Sequence, residues 1–135
     1  MDKKTDMAAS AAQLFAREGL RGIGVDHIGA SVGASALREI ELIRPDLYFI
    51  GACGVDLQAG VTAVDFEEAE FKRRVAALSK ATAVVATAEK LGAVAPYLVL
   101  PIAQLTHLIV PRHVDQQLAG DYAAAGAKLL RADAS

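Results

Sequence analysis

The chain has 135 residues, 53% of them hydrophobic and 22% charged, and its 14 basic and 16 acidic side chains leave a formal net charge of −2. That length excludes a large multidomain enzyme, and the apolar content excludes a chain too polar to fold. The near-neutral balance excludes a global positive field for nucleic acid or anionic lipid, so any DNA contact must be local.

From Thr5 to about Gly19, the residues Ala8, Ala12, Phe15 and Ala16 recur at three and four, which predicts a helix with one apolar face ended by Gly19. Leu20 to Val25, with Gly22 and Gly24 between apolar residues, reads as an extended connector rather than a stable strand. Asp26 starts a second short helix, His27 to Val32, closed by Gly33, and Ala34 to Glu41 begins a third that Pro45 cuts short. Beyond Asp46 the period changes. LYFIGACGV (47 to 55) reads as a buried strand running into a loop over 57 to 64.

Asp65 through Lys80 predicts an amphipathic helix, with Phe66, Ala69, Val75, Ala76 and Leu78 opposite Glu67, Glu70, Arg73 and Arg74. AVVATA (83 to 88), YLVLP (97 to 101), HLIVP (107 to 111) and KLLRA (128 to 132) read as further strands, the last after a helix from Val114 to Ala125. Alternating strands and helices predict an α/β fold built on a mostly parallel sheet. The expected division is a helical segment over 1–43 and an α/β domain over 44–135.

Two stretches carry more than periodicity. Leu14 to Ser35 has the helix, glycine stop and second helix of a helix-turn-helix, although any small helical pair fits the same period. Its Ala12, Leu14, Phe15, Gly19, Gly24, Val25, Ile28, Gly33 and Ser35 resemble the DNA-binding end of TetR-type regulators over about residues 8–37. The resemblance implies DNA contact through Ser35 and Arg38, but the stretch then reads Ala36-Leu37-Arg38-Glu39-Ile40 where that family completes its recognition helix. Arg38 and Arg44 are the basic side chains nearby, few for phosphate contacts, so weak or lost DNA binding is expected.

The second stretch runs from Arg44 to Arg131. Gly51, Gly54, Asp56, Gly60, Thr62, Glu68, Ala69 and Lys72, followed by AVVATAEKLG and LPIAQLTHLIV, resemble the C-terminal effector domain of DeoR-type sugar-catabolism repressors. The resemblance implies the parallel-sheet fold those domains share with ribose-5-phosphate isomerase and CoA transferases, here in part, with flanking helices. It also implies a phosphorylated sugar as effector, bound by Gly51, Gly54, Asp56, Thr62, Glu68, Lys72 and Lys90. Such ligands sit beyond the carboxyl ends of parallel strands, where glycines admit the backbone, carboxylates accept sugar hydroxyls and lysines meet phosphate.

On spacing alone each residue has a plainer reading: Glu68 and Lys72 as an exposed i,i+4 ion pair, Asp56 as a turn former and Lys90 as a solvated loop lysine. Where the family commonly has an aspartate after the second strand, this chain has Thr87, so a polar contact to the sugar is expected to be altered or missing.

The single cysteine, Cys53, reads as a buried small residue, and His27, His107 and His113 have no metal-ligand spacing. No metal, cofactor or catalytic residue is expected, and with no apolar leader or membrane-length apolar run the protein is expected in the cytoplasm, off the membrane. Two other functions fit parts of the pattern. A sugar-phosphate isomerase-like enzyme would use Glu68 as base beside Lys72, and an oligomerisation module, hence a homo-oligomer, would cover an exposed sheet edge.

Overall fold

The structure is a computed structural model that describes residues 22–23 and 38–132. Among the described residues, eight strands fall into two sheets: β1 (Gly22–Ile23), β2 (Leu47–Ile50), β3 (Gly54–Asp56), β4 (Gly60–Ala63), β5 (Ala81–Val85), β6 (Tyr97–Leu100), β7 (His107–Pro111) and β8 (Lys128–Ala132). The larger sheet is parallel throughout, in the order β1-β2-β5-β7-β8. The smaller is antiparallel, in the order β3-β4-β6. The described residues also form two longer helices, α1 (Phe66–Leu78) and α2 (Gln116–Ala124).

The expected α/β architecture is present, with α1 lying within the predicted helix. Asp65 caps it, its carboxylate accepting from the amide of Glu68 at 3.0 Å, and Ala69, Phe71, Val75 and Ala76 are buried. Asp115 starts α2 in the same way, accepting from the amide of Leu118 at 3.2 Å. Before β2, a helical turn at 38–40 ends ahead of Pro45, where the Arg44 guanidinium donates to the carbonyls of Glu41 at 2.6 Å and Ile43 at 2.9 Å.

The strands of the parallel sheet follow chain order without reversal. Right-handed crossovers in one direction put the connections from β2 through to β8 on one sheet face. Accordingly, residues of α1, α2 and the small sheet join Tyr48, Ile50, Val84, Leu108 and Val110 in one large core. The alternate residues Leu47, Ala83, Val85, Ile109 and Ala132 point the other way and form a second buried cluster, as a sheet buried on both faces requires.

Four local expectations are corrected. Residues 22–23, taken as a connector, pair in parallel with Leu47 and Tyr48. The strand expected over 47–55 breaks in two, because residues 51–53 carry the chain from the parallel sheet into the antiparallel one. The loop expected over 57–64 contains β4: Asp56 accepts from the amides of Gln58 (3.0 Å) and Ala59 (2.8 Å), and Gly60 at φ +83° turns the chain back into a hairpin. Finally, β5 occupies 81–85 rather than 83–88, residues 88–90 forming a short 3-10 turn.

Candidate functional site

The geometry of the candidate site follows from how β2 leaves its sheet. Gly51 and Ala52 no longer pair with β5, so their carbonyls are open to side chains, and two lysines take them. Lys72, on the sheet-facing side of α1 and only 4% exposed, donates to the carbonyl of Gly51 and to Glu68 Oε1 at 2.6 Å. Lys90, in the turn after β5, donates to the carbonyl of Ala52 at 2.8 Å. Two ammonium groups from distant parts of the chain are thereby held on consecutive carbonyls at the carboxyl end of β2.

Glu68 reaches this cluster through Lys72. The pair is the i,i+4 pair of the sequence, but Lys72 is buried, so the ammonium is largely removed from water while the Glu68 side chain stays 38% exposed. Asp56 is turned elsewhere, its carboxylate holding the hairpin turn at residues 58–59. Thr62 is buried on β4, where its hydroxyl donates to the carbonyl of Gly54 at 3.4 Å and accepts from the amide of Ala95 at 2.9 Å, joining the hairpin to the loop before β6. Gly54 is fixed by close approach: a Cβ there would lie 2.1 Å from the carbonyl oxygen of Ala93. Gly51, Glu68, Lys72 and Lys90 therefore share one cluster, while Gly54, Asp56 and Thr62 shape the hairpin behind it.

Sequence reasoning missed the tie beneath this hairpin. Tyr122 of α2 is fully buried and donates its hydroxyl to the carbonyl of Val55 at 2.6 Å, an acceptor it shares with the amide of Gly92 at 2.8 Å. Burial raises the phenol's pKa above its ordinary 10.0, a contact with Gly92 lowers it, and the negative charge of Asp56 adds to the rise. No side-chain spacing signals this bond, because its acceptor is a backbone oxygen. Cys53 sits half-buried between the two lysine-bound carbonyls and the hairpin, its amide donating to the carbonyl of Thr62 at 3.0 Å. His107 is buried on β7 and His113 is exposed; His27 lies outside the described residues.

A separate cleft of about 280 Å³ opens at the amino ends of β5 and β7 and includes Arg73, Ser79, Lys80, Thr82 and Thr106. Its polar groups are engaged in holding the fold: Thr82 and Thr106 hydroxyls accept from one another's amides, and Arg73 donates to the carbonyl of Leu98. It lies at the end of the sheet opposite Gly51 and Lys90. No described helix is long and apolar enough to cross a membrane.

A protein-family model, the DeoR C terminal sensor domain, matches residues 22–112, more than half of the chain. The chain belongs to that family. The match takes in the whole lysine cluster of the sensor domain, both strands that deliver it and the hairpin behind it. It starts at β1, inside the 8–37 segment where a TetR-type likeness is expected and which no family model shows to be of that type, and ends before α2. Apart from 22–23, that TetR-like segment lies outside the described residues, as does Ser35; Arg38 is exposed on the helical turn before β2. No curated protein matches the chain.

Proposed function

We propose that this chain is the sensor of a DeoR-type regulator of sugar catabolism, with a phosphorylated sugar as its effector. One observation carries the reading: in a member of this sensor family, the Lys72 and Lys90 ammoniums are anchored on the consecutive Gly51 and Ala52 carbonyls at a strand's carboxyl end. An ammonium has three donors, so Lys72 keeps one for a phosphate oxygen after its two structural bonds. Glu68 orients Lys72, and Gly54, Asp56 and Thr62 act by setting the shape of the hairpin rather than by reaching the sugar.

The reading is regulatory rather than catalytic, in keeping with a sensor family. A base role for Glu68 would require breaking its 2.6 Å ion pair with Lys72. DNA contact through Ser35 and Arg38 is weak in this proposal, since the chain carries a net charge of −2. A homo-oligomer remains part of the proposal, with an edge strand of either sheet as its contact.

Calorimetric titration of the full chain with a panel of phosphorylated sugars and their unphosphorylated counterparts tests the reading. The expected result is binding that needs the phosphate and weakens ~10-fold or more in Lys90→Met, the loss of about one charge-assisted hydrogen bond. A folded protein that binds no phosphorylated sugar at millimolar concentration refutes the effector. A gel shift at low salt that finds no duplex bound at micromolar protein removes the DNA contact.

A further inference from the structure

The cleft of about 280 Å³ at the amino ends of β5 and β7 has space because the last turns of α1 line it with small side chains, Ala76 and Ala77. Among its described lining residues two are cations, Arg73 and Lys80, and none is an aspartate or glutamate. A molecule entering it meets positive charge.

Arg73 is the informative group. Its neighbours Lys72 and Arg74 pair with Glu68 and Glu41, yet among the described residues no carboxylate pairs with Arg73. The side chain belongs to a half-buried residue, and its guanidinium is held in place by donating to the carbonyl of Leu98. That bond takes one of five N–H donors and leaves others for the flat, two-pronged contact that suits a carboxylate or phosphoryl group. A cation drawn partly out of water without a counter-charge is costly, and a bound anion would supply that charge.

The bonds that hold this corner together leave further donors over. Thr82 and Thr106 lie two residues before Val84 and Leu108, so alternation turns both side chains to the α1 side of the sheet. Each hydroxyl accepts the other residue's amide, at 3.1 and 3.3 Å, and still carries a proton of its own to donate. Lys80, with its side chain 81% exposed, meets Asp46 at 3.5 Å in a surface pair that constrains it weakly. It can swing to a ligand at small cost.

We propose that this cleft is a second anion site, taking a small molecule by a phosphoryl or carboxylate group held on Arg73, Lys80 and the hydroxyls of Thr82 and Thr106. It lies at the end of the sheet opposite Lys72 and Lys90, uses neither, and does not rest on the sugar-phosphate reading above. The guanidinium fixes the oxyanion, Lys80 adds a mobile charge from the rim, and the two hydroxyls supply neutral donors from the sheet. An uncharged molecule of the same size gains none of the charge pairing and is excluded.

The test titrates the full chain at low ionic strength with inorganic phosphate, malonate and, as a neutral control, glycerol, following the backbone amide resonances of Thr82 and Thr106 by NMR. Those amides are bonded to the hydroxyls that would meet the anion, so saturable shifts below about 10 mM phosphate or malonate are expected, and none with glycerol. Arg73→Met should weaken that binding ~10-fold or more, the loss of a charge-assisted contact, and Lys80→Met about threefold. In Lys90→Met the shifts should persist with affinity within about twofold of the parent. Response to phosphate alone identifies a phosphoryl group, and response to malonate alone a carboxylate. Should Arg73→Met fail to fold for want of its Leu98 bond, Lys80→Met decides. A folded parent whose Thr82 and Thr106 amides do not move with either anion overturns the inference. So does binding that Arg73→Met and Lys80→Met leave unchanged, or binding that Lys90→Met abolishes, which would put the anion at the other end of the sheet.

Discussion

Replacing Lys72 with methionine asks whether the buried ammonium supports the fold as well as the site. Methionine keeps an unbranched apolar stem of similar length, so the change removes mainly the charge and its two bonds. The Gly51 carbonyl loses a charged donor, a net effect of about 1.5–3 kcal/mol that already includes drying the ammonium. Glu68 also loses its partner, but with its side chain 38% exposed it regains water, so its share falls to the ~0.3–0.5 kcal/mol of an exposed helix pair. The expected cost is about 2–3 kcal/mol. Urea unfolding reads it directly: with a slope of about 1.5–2 kcal/mol/M the midpoint falls by more than about 1 M. Glu68→Gln alone should cost under about 0.5 kcal/mol, and the double variant should match Lys72→Met within that margin. A Lys72→Met cost below about 0.5 kcal/mol at unchanged slope would refute the reasoning, because it would mean the amine is solvated and its bond to β2 contributes nothing.

Gly54→Ala should destabilise the protein by about 2 kcal/mol or more in the same assay, since the new Cβ would meet the backbone of Ala93, which has no rotamer to yield. A neutral result would mean that the hairpin and the 93–95 loop separate freely. Tyr122→Phe should cost about 1–2 kcal/mol at neutral pH, with the Val55 carbonyl still bonded to Gly92. Because the folded phenol's pKa is raised above 10.0, its contribution is fully present below that value. As pH rises past it, the unfolded chain ionises first and stability declines. Unfolding midpoints between pH 9 and about 11 should therefore fall more steeply for the parent than for Tyr122→Phe, and parallel curves would contradict the raised pKa.

Residues close in the chain determined much of this protein by themselves. Asp65 and the apolar side of 66–78 suffice for α1, whose capping bond spans three residues, and the runs at 97–101, 107–111 and 128–132 suffice for β6, β7 and β8. The glycine, acid and lysine pattern from Gly51 to Lys90 carried the family resemblance, and the match over 22–112 includes every one of those residues.

Other features were settled only by tertiary structure. The run from Leu47 to Val55 is apolar throughout, and its division depends on β3 finding β4 in a hairpin and on β4 finding β6, a pairing that closes across the whole of α1 and β5. Period alone gives Lys72 and Lys90 two separate ion-pairing or solvated roles. What joins them is a pair of consecutive backbone carbonyls, and every residue type carries a carbonyl, so no letter in the sequence marks the acceptor. Thr87 shows the same limit from the other side: the substitution is visible in the chain, but only folding buries its hydroxyl without a described partner.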